Sequence, residues 1–289
     1  MDVHLELPRT YFPAVGSMLY HYCSPETFLA ICTGKKLRFC DIYSMNDYLE
    51  MHWGYQAWEK AATQLLDQVG VDFLNRIDAI LSGSGRAALP LASCLSTDGD
   101  TLSQWRAYSQ DGLGFCIGFD AEMILRLPVT PLRVCYSEVE QVTEIADFIL
   151  ELHKREKQGP IDDDTFFAHA FKLAMDLSAY KNPAFGEEKE VRLIHLVGLE
   201  ESGRSHRLVD QPGRAFGCEH GPLPVNFMMK QGSPVPHLDL SFIGPTGQSP
   251  IRQVIVGPKN QSLLTSISIM LETLGIPGVD VIRSAASYR

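Results

Sequence analysis

Residues 18–41, MLYHYCSPETFLAICTGKKLRFCD, read as strand, capped helix and strand. Met18–Tyr22 is a short run of aromatic and branched side chains of strand type. Ser24 carries the short hydroxyl that caps a helix, Pro25 suits the first helical position, and Glu26 sets negative charge at the positive helix end. Phe28, Leu29, Ile31 and Cys32 form an apolar stripe, and Gly34 is expected to stop the helix. Leu37–Cys40 returns as a strand. His21 therefore falls at a strand-to-helix junction, where backbone amides are open to a ligand.

Working outward, helical periodicity recurs over 55–69 and 71–81, and Ser82-Gly-Ser-Gly85 breaks it. Strands are expected at 89–95, 114–119, 132–136, 188–197, 251–257 and 279–282, and a helix at 260–274. Residues 138–157 and 164–181 read as two helices joined by Gly159-Pro160, with Asp162–Asp164 supplying the second cap. Residues 200–224, rich in Gly, Pro and charge, read as a long loop or hairpin. Strands spread from end to end with helices between them imply α+β: one domain over 1–289, built on a mixed or split sheet, with 138–181 as a helical insert.

The chain has 289 residues, 45% hydrophobic and 21% charged, enough to bury a core without disulfides or metals. The net charge of −10 argues against sequence-independent binding of nucleic acid, which needs clustered Lys and Arg. It leaves room for a small nucleotide in a local pocket. The seven cysteines are odd in number and scattered, with no C-x-x-C pair. Cys94, Cys116 and Cys135 sit in apolar runs and are expected to be buried. A reducing cytosol is the expected compartment. The N-terminal stretch lacks the basic and apolar regions of a signal peptide, and no run approaches the roughly 20 apolar residues of a membrane span.

Three clusters carry chemistry. In Phe185-Gly-Glu-Glu-Lys-Glu-Val-Arg192, strand alternation points Glu188, Glu190 and Arg192 to one side, with Arg192 the natural partner of the carboxylates. A solvated charge run at a strand entrance explains the same residues without a site. Ser103-Gln-Trp-Arg-Ala-Tyr108 offers two aromatics and an arginine as a platform for a flat ring, or equally an aromatic anchor under a loop. His21 is the third cluster, and a strand histidine bonded to backbone is its plainer reading. The nucleophile elbow, phosphate loop, dinucleotide fingerprint and H-E-x-x-H motif are missing from the sequence. Glu187 and Lys189 have the E-x-K spacing of a metal-dependent nuclease, with both side chains expected on one strand face.

Taken together, these pieces resemble a bacterial family catalogued as domain of unknown function 2971. The resembling segments are LYHYCSPETFLAICTGKKLRFCD, SMND at 44–47, CLSTDGDTLSQWRAYSQDGLGFCIGFD at 94–120, KNPAFGEEKEVRLI at 181–194, and IRQVIVGP with the terminal IRSAASYR. A more distant resemblance is to ADP-ribosyltransferases of the His-Tyr-Glu type, whose order is matched by His21, Tyr108 and Glu190. Trp105 and Glu188 are the alternatives to Tyr108 and Glu190.

That second resemblance implies an ADP-ribosyltransferase-like fold and NAD as substrate, with no metal required. Glu190 would stabilise an oxocarbenium-like state, Tyr108 would stack on nicotinamide, and His21 would bond the adenosine ribose. Arg38, Arg106 or Arg192 would hold the pyrophosphate, and Tyr22, Trp105 and Glu188 complete the binding set. The implied activity is transfer of ADP-ribose to an unknown macromolecular acceptor or hydrolysis of NAD, in bacterial stress or phage defence. A non-catalytic nucleotide sensor and the nuclease centred on Glu187 and Lys189 are the alternatives.

Overall fold

In a computed structural model of the chain, Ser24 caps the first helix by accepting a bond from the Thr27 amide, with Pro25 as its first residue. The helix stops at Gly34, as expected. Gly34 is its last helical residue, and Lys35 takes the left-handed conformation at φ 52°, closing the end with a bond from its amide to the Ile31 carbonyl. The structure describes residues 5, 7–44, 50–86, 88–202 and 205–287. Met45–Asp47 of the SMND motif, and Tyr288 and Arg289 of the terminal motif, lie outside the described residues.

The strands are β1 (Met18–Cys23), β2 (Lys36–Asp41), β3 (Ala88–Ser96), β4 (Phe115–Asp120), β5 (Thr130–Arg133), β6 (Glu190–Ser202), β7 (Ser205–Val209), β8 (Gly213–Ala215), β9 (Cys218–His220), β10 (Asn226–Lys230), β11 (Ser233–Ser241), β12 (Ile251–Val256) and β13 (Asp280–Arg283). The helices are α1 (Pro25–Gly34), α2 (Glu50–Val69), α3 (Val71–Gly83), α4 (Leu102–Tyr108), α5 (Ala121–Ile124), α6 (Glu138–Gln158), α7 (Asp163–Asp176) and α8 (Leu264–Thr273).

Among the described residues, eleven strands form one sheet in the order β10-β11-β2-β3-β1-β4-β12-β13, with β6 also on β3 and carrying β5 and β7. Pairing is antiparallel except for β12 with β13. The fold is therefore mixed α+β with a sheet of mixed orientation.

The register of β3 decides where a site can form. β6 pairs with β3 along its whole length, from Ala88↔Gly198 to Ser96↔Glu190, and so fills one edge. The other edge is shared: Leu91 and Ala92 pair with β2, and Ser96 pairs with Tyr20 of β1. Between these points β1 and β2 part, and the sheet is split.

One face of the sheet buries Leu19, Leu37, Phe39, Leu91, Ile117 and Val191 under α1 and α8. Removing this apolar area from water is the main driving force for the layer. A second cluster joins Trp58, Ala61, Ile77, Ile145, Ile149 and Leu173 from α2, α3, α6 and α7. The segment 138–181 is thus half of a four-helix layer whose other half is 50–83. Each helix pair has an apolar stripe that the other pair covers, a relation hidden by their separation in sequence. Ile42, Ala92, Leu132, Ala179 and Ile194 join this layer to the second face of the sheet.

The C-terminal third is more regular than its composition suggests. β6 runs on to Ser202 and turns back as β7, β8 and β9 form a hairpin, and β10 and β11 form another. Prolines 234 and 236 obscure β11 in the sequence. Both precede the stretch 237–241 that pairs with β2, so the ladder on that side loses no donor. Among the described residues, no helix is long and apolar enough to cross a membrane.

Candidate functional site

A cavity of about 290 Å3 lies at the split. It is lined by Tyr20, His21 and Tyr22 of β1, Arg38 and Cys40 of β2, residues 92–96 of β3, Gln104 and Tyr108 of α4, Lys230 of β10, and by Lys181, Glu188 and Glu190. Its size falls near the lower end of small-molecule sites, which run from roughly 300 Å3 upward.

One wall is a buried ionic cluster. Glu190 opens β6, and Arg192, two residues on, shares its face. Arg192 donates from Nε to Glu190 Oε1 at 2.8 Å and from Nη2 to Oε2 at 3.1 Å, a two-pronged clamp. Its Nη1 donates to the Ser178 carbonyl. Lys181 donates to Glu190 Oε2 at 3.2 Å and to Glu188 Oε2 at 2.5 Å. Lys181 is itself held by Gln141 of α6, whose amide donates to the carbonyls of Lys181 and Cys135. Burial pushes the Glu190 carboxyl upward, but the charges of Arg192 and Lys181 outweigh it and hold it at about 2. Glu190 is therefore a permanent negative charge and a poor proton acceptor.

Glu188 receives the Tyr108 hydroxyl at 2.9 Å on Oε1. Burial, and then the Glu188 charge, push the Tyr108 phenol well above its usual range, so it stays a donor. This bond aims the tyrosine from α4 towards the carboxylates.

His21 fills the split. On its own strand Leu19 and Cys23 belong to the main core, yet the imidazole Nδ1 lies 3.1 Å from the Cys94 carbonyl on the unpaired edge of β3. A carbonyl can only accept, so Nδ1 carries the proton and Nε2 is left as an acceptor. Burial lowers the His21 pKa and the bond to Cys94 opposes this without overcoming it, which keeps the ring neutral.

Tyr22 is anchored by donating to the Asp98 carbonyl at 2.9 Å and accepting the Thr101 amide at 2.9 Å. The ring of Tyr20 lies over Gly99, where an added Cβ would come within 2.5 Å of it, so glycine permits this close approach.

Of the residues expected from sequence, His21, Tyr22, Arg38, Tyr108, Glu188 and Glu190 share this cavity. Trp105, Arg106 and Arg192 are not part of its lining. Trp105 is fully buried, packs edge-on against Tyr22 and donates to Asp100, so it is the aromatic anchor rather than the platform. Arg106 lies on the exposed side of α4. Arg192 is 1% exposed and committed to Glu190 and Ser178, which leaves it no route to a pyrophosphate.

Glu187 and Lys189 do not share a strand face. Residues 183–188 form a 3-10 turn, Lys189 is left-handed at φ 45°, and β6 begins only at Glu190. Lys189 instead pairs with Asp98 at 2.9 Å on the surface. Cys94, expected to be buried, is half-exposed and lines the cavity, while Cys116 and Cys135 are buried. Among the described residues, no group of three or more His, Cys, Asp or Glu side chains is placed to hold a metal ion.

Sequence reasoning missed Lys181, Gln104, Tyr20, Cys40 and Lys230. Lys181 had a signal, since it opens the motif KNPAFGEEKEVRLI. Lys230 had none, because the hairpin that carries it was not read as strand. A comparison with curated proteins returns no match, and neither does one with solved structures. Residues 104–193, which include Gln104, Tyr108, Lys181, Glu188 and Glu190, match the family model described as protein of unknown function (DUF2971), and this supports the resemblance to that family.

Proposed function

We propose that the cavity binds NAD and that the chain is an ADP-ribosyltransferase-like protein, transferring ADP-ribose to a macromolecule or to water. The observation that carries this reading is the convergence of His21, Tyr108 and the Glu188–Glu190 pair, from three distant parts of the chain, on one cavity.

The chemistry suits the residues. The bond between ribose and nicotinamide breaks with its electron pair leaving on the nicotinamide nitrogen, which loses its positive charge. Positive charge develops on the ribose, as in glycoside hydrolysis. Glu190, ionised at any physiological pH, stabilises that charge and accepts from a ribose hydroxyl. Its low pKa makes it a stabiliser of charge rather than a base. The acceptor oxygen then bonds the ribose carbon and its proton passes to solvent. Tyr108, aimed by Glu188, supplies the ring face for nicotinamide, and Nε2 of His21 accepts from a hydroxyl of the other ribose.

Incubation with NAD should release nicotinamide, and mass spectrometry of treated lysate should find added ADP-ribose. Glu190→Gln should slow nicotinamide release about 10²–10³-fold, the usual effect of removing one preorganised electrostatic group. A melting curve distinguishes this from unfolding. Unimpaired turnover in a folded Glu190→Gln variant removes Glu190 from the mechanism.

A second reading is favoured by one observation: both oxygens of Glu190 are already bonded by Arg192 and Lys181. A carboxylate so occupied suits a nucleotide sensor that binds without turnover. Calorimetry showing NAD binding with no nicotinamide release selects this reading over the first.

A further inference from the structure

The cavity has two unlike ends. At the β6 end the carboxylates of Glu188 and Glu190 are matched by Lys181 and Arg192, so this wall has no net charge and offers bonding partners for hydroxyl groups. At the other end stand Lys230 of β10 and Arg38 of β2. The Lys230 ammonium donates to the Ser44 carbonyl at 3.0 Å and has no carboxylate partner among the described residues. An ammonium has three donors, so it can take a further acceptor. Arg38 gives Nε and Nη2 to Asp239 at 2.8 and 2.9 Å, while its Nη1 donates to the Met228 sulfur at 3.7 Å, a weak acceptor that an oxyanion would replace. Lys230, Arg38 and Asp239 together leave one positive charge, in a chain whose net charge is −10.

The sheet order separates these ends. From β10 through β11, β2 and β3 to β6 there are four interstrand steps, or roughly 19 Å between backbones at about 4.8 Å each. Both sets of side chains reach inward from the same face of the sheet, as the registers Cys40↔Ala92 and Cys94↔Arg192 require. A compact anion meets only one end. A ligand that meets both is elongated, with hydroxyls at one end and a phosphate at the other.

We propose that Lys230, with Arg38 beside it, is the anion pole of the cavity and takes the phosphate of a nucleotide whose ribose lies against Glu188 and Glu190. This rests on the nucleotide reading above and assigns a specificity residue to it. Lys230 would separate phosphorylated from unphosphorylated ribosides, because a charge-assisted bond to phosphate has no counterpart in a bare nucleoside. Its seat on the β10–β11 hairpin ties phosphate recognition to a different part of the chain from the carboxylates.

The test is titration calorimetry on the full chain with three probes: ADP-ribose, nicotinamide riboside and inorganic pyrophosphate. Lys230→Ala should weaken ADP-ribose about tenfold, the loss of one charged hydrogen bond. Binding of nicotinamide riboside should not change, and Lys230→Arg should restore most of the affinity for ADP-ribose. Lys230 is half-exposed, so an unchanged melting curve should accompany the loss. Equal affinity for ADP-ribose in wild type and Lys230→Ala overturns the proposal, as does an equal loss for ADP-ribose and riboside. Pyrophosphate binding that weakens in Lys230→Ala, with neither nucleotide probe bound by the wild type, keeps the anion pole and removes the nucleotide reading. A wild type that binds none of the three probes removes both.

Discussion

Strand β6 buries a polar pair on each of its faces, to opposite ends. On one face Glu190 lines the cavity, with Arg192 clamped to it. On the other, among Val191, Leu193 and Val197, His195 places Nε2 2.8 Å from Asp210 and Nδ1 2.8 Å from the Pro128 carbonyl. Asp210 also accepts the amides of Gln211 and Leu223, so it ties the segment after β7 back to the sheet. Both pairs are nearly inaccessible to water. Only the first lies at the cavity described above. A buried polar pair alone does not mark a site; one beside a cavity does.

The largest effect is expected at Arg192. Arg192→Met leaves Glu190 buried with Lys181 as its remaining cation, and breaking a buried pair from one side costs about 3–5 kcal/mol. Both the melting temperature and nicotinamide release should fall. A variant that melts like the wild type would show that the clamp contributes nothing to the fold.

Asp210→Asn should cost about 2 kcal/mol, because the new amide nitrogen cannot accept from the backbone N–H groups that the carboxylate serves. Hydrogen exchange at the Leu223 amide should speed up while nicotinamide release stays at wild-type rate. Loss of turnover in this variant would end the division between the two faces.

The third effect is acid sensitivity. Glu190 titrates near 2 in the fold against an ordinary 4.5, so its contribution to stability is complete above about pH 4.5 and fades as pH falls towards 2. The shift corresponds to stabilisation on the order of 3 kcal/mol. Urea melts at pH 6, 4 and 3 should show the wild type losing stability that Glu190→Gln does not lose. Parallel losses in the two proteins would mean that Glu190 is not the titrating group.

The sequence was most legible where one local signal sufficed. Ser24-Pro25 marked the start of α1, and the alternation of Val191 and Leu193 with Arg192 marked β6. It was least legible where the answer depended on distant partners. Trp105 looked like a platform until Asp100 and Tyr22 claimed it. The pairing of Arg192 with Glu190 was legible from spacing, but its bond to the Ser178 carbonyl was not. Lys189 fell out of strand alternation because the chain enters β6 from a left-handed residue, which spacing alone cannot reveal. Lys230 was invisible because Pro234 and Pro236 disguised a strand that pairs with β2 only after both are passed.

The parting of β1 from β2 gives the sheet a joint. Between these strands the described residues hold no ladder of backbone bonds, and the carbonyl of Cys94 is met there by an imidazole instead. What closes this seam against β3 is therefore a side-chain contact, flanked by backbone pairing at Leu91–Ala92 and at Ser96.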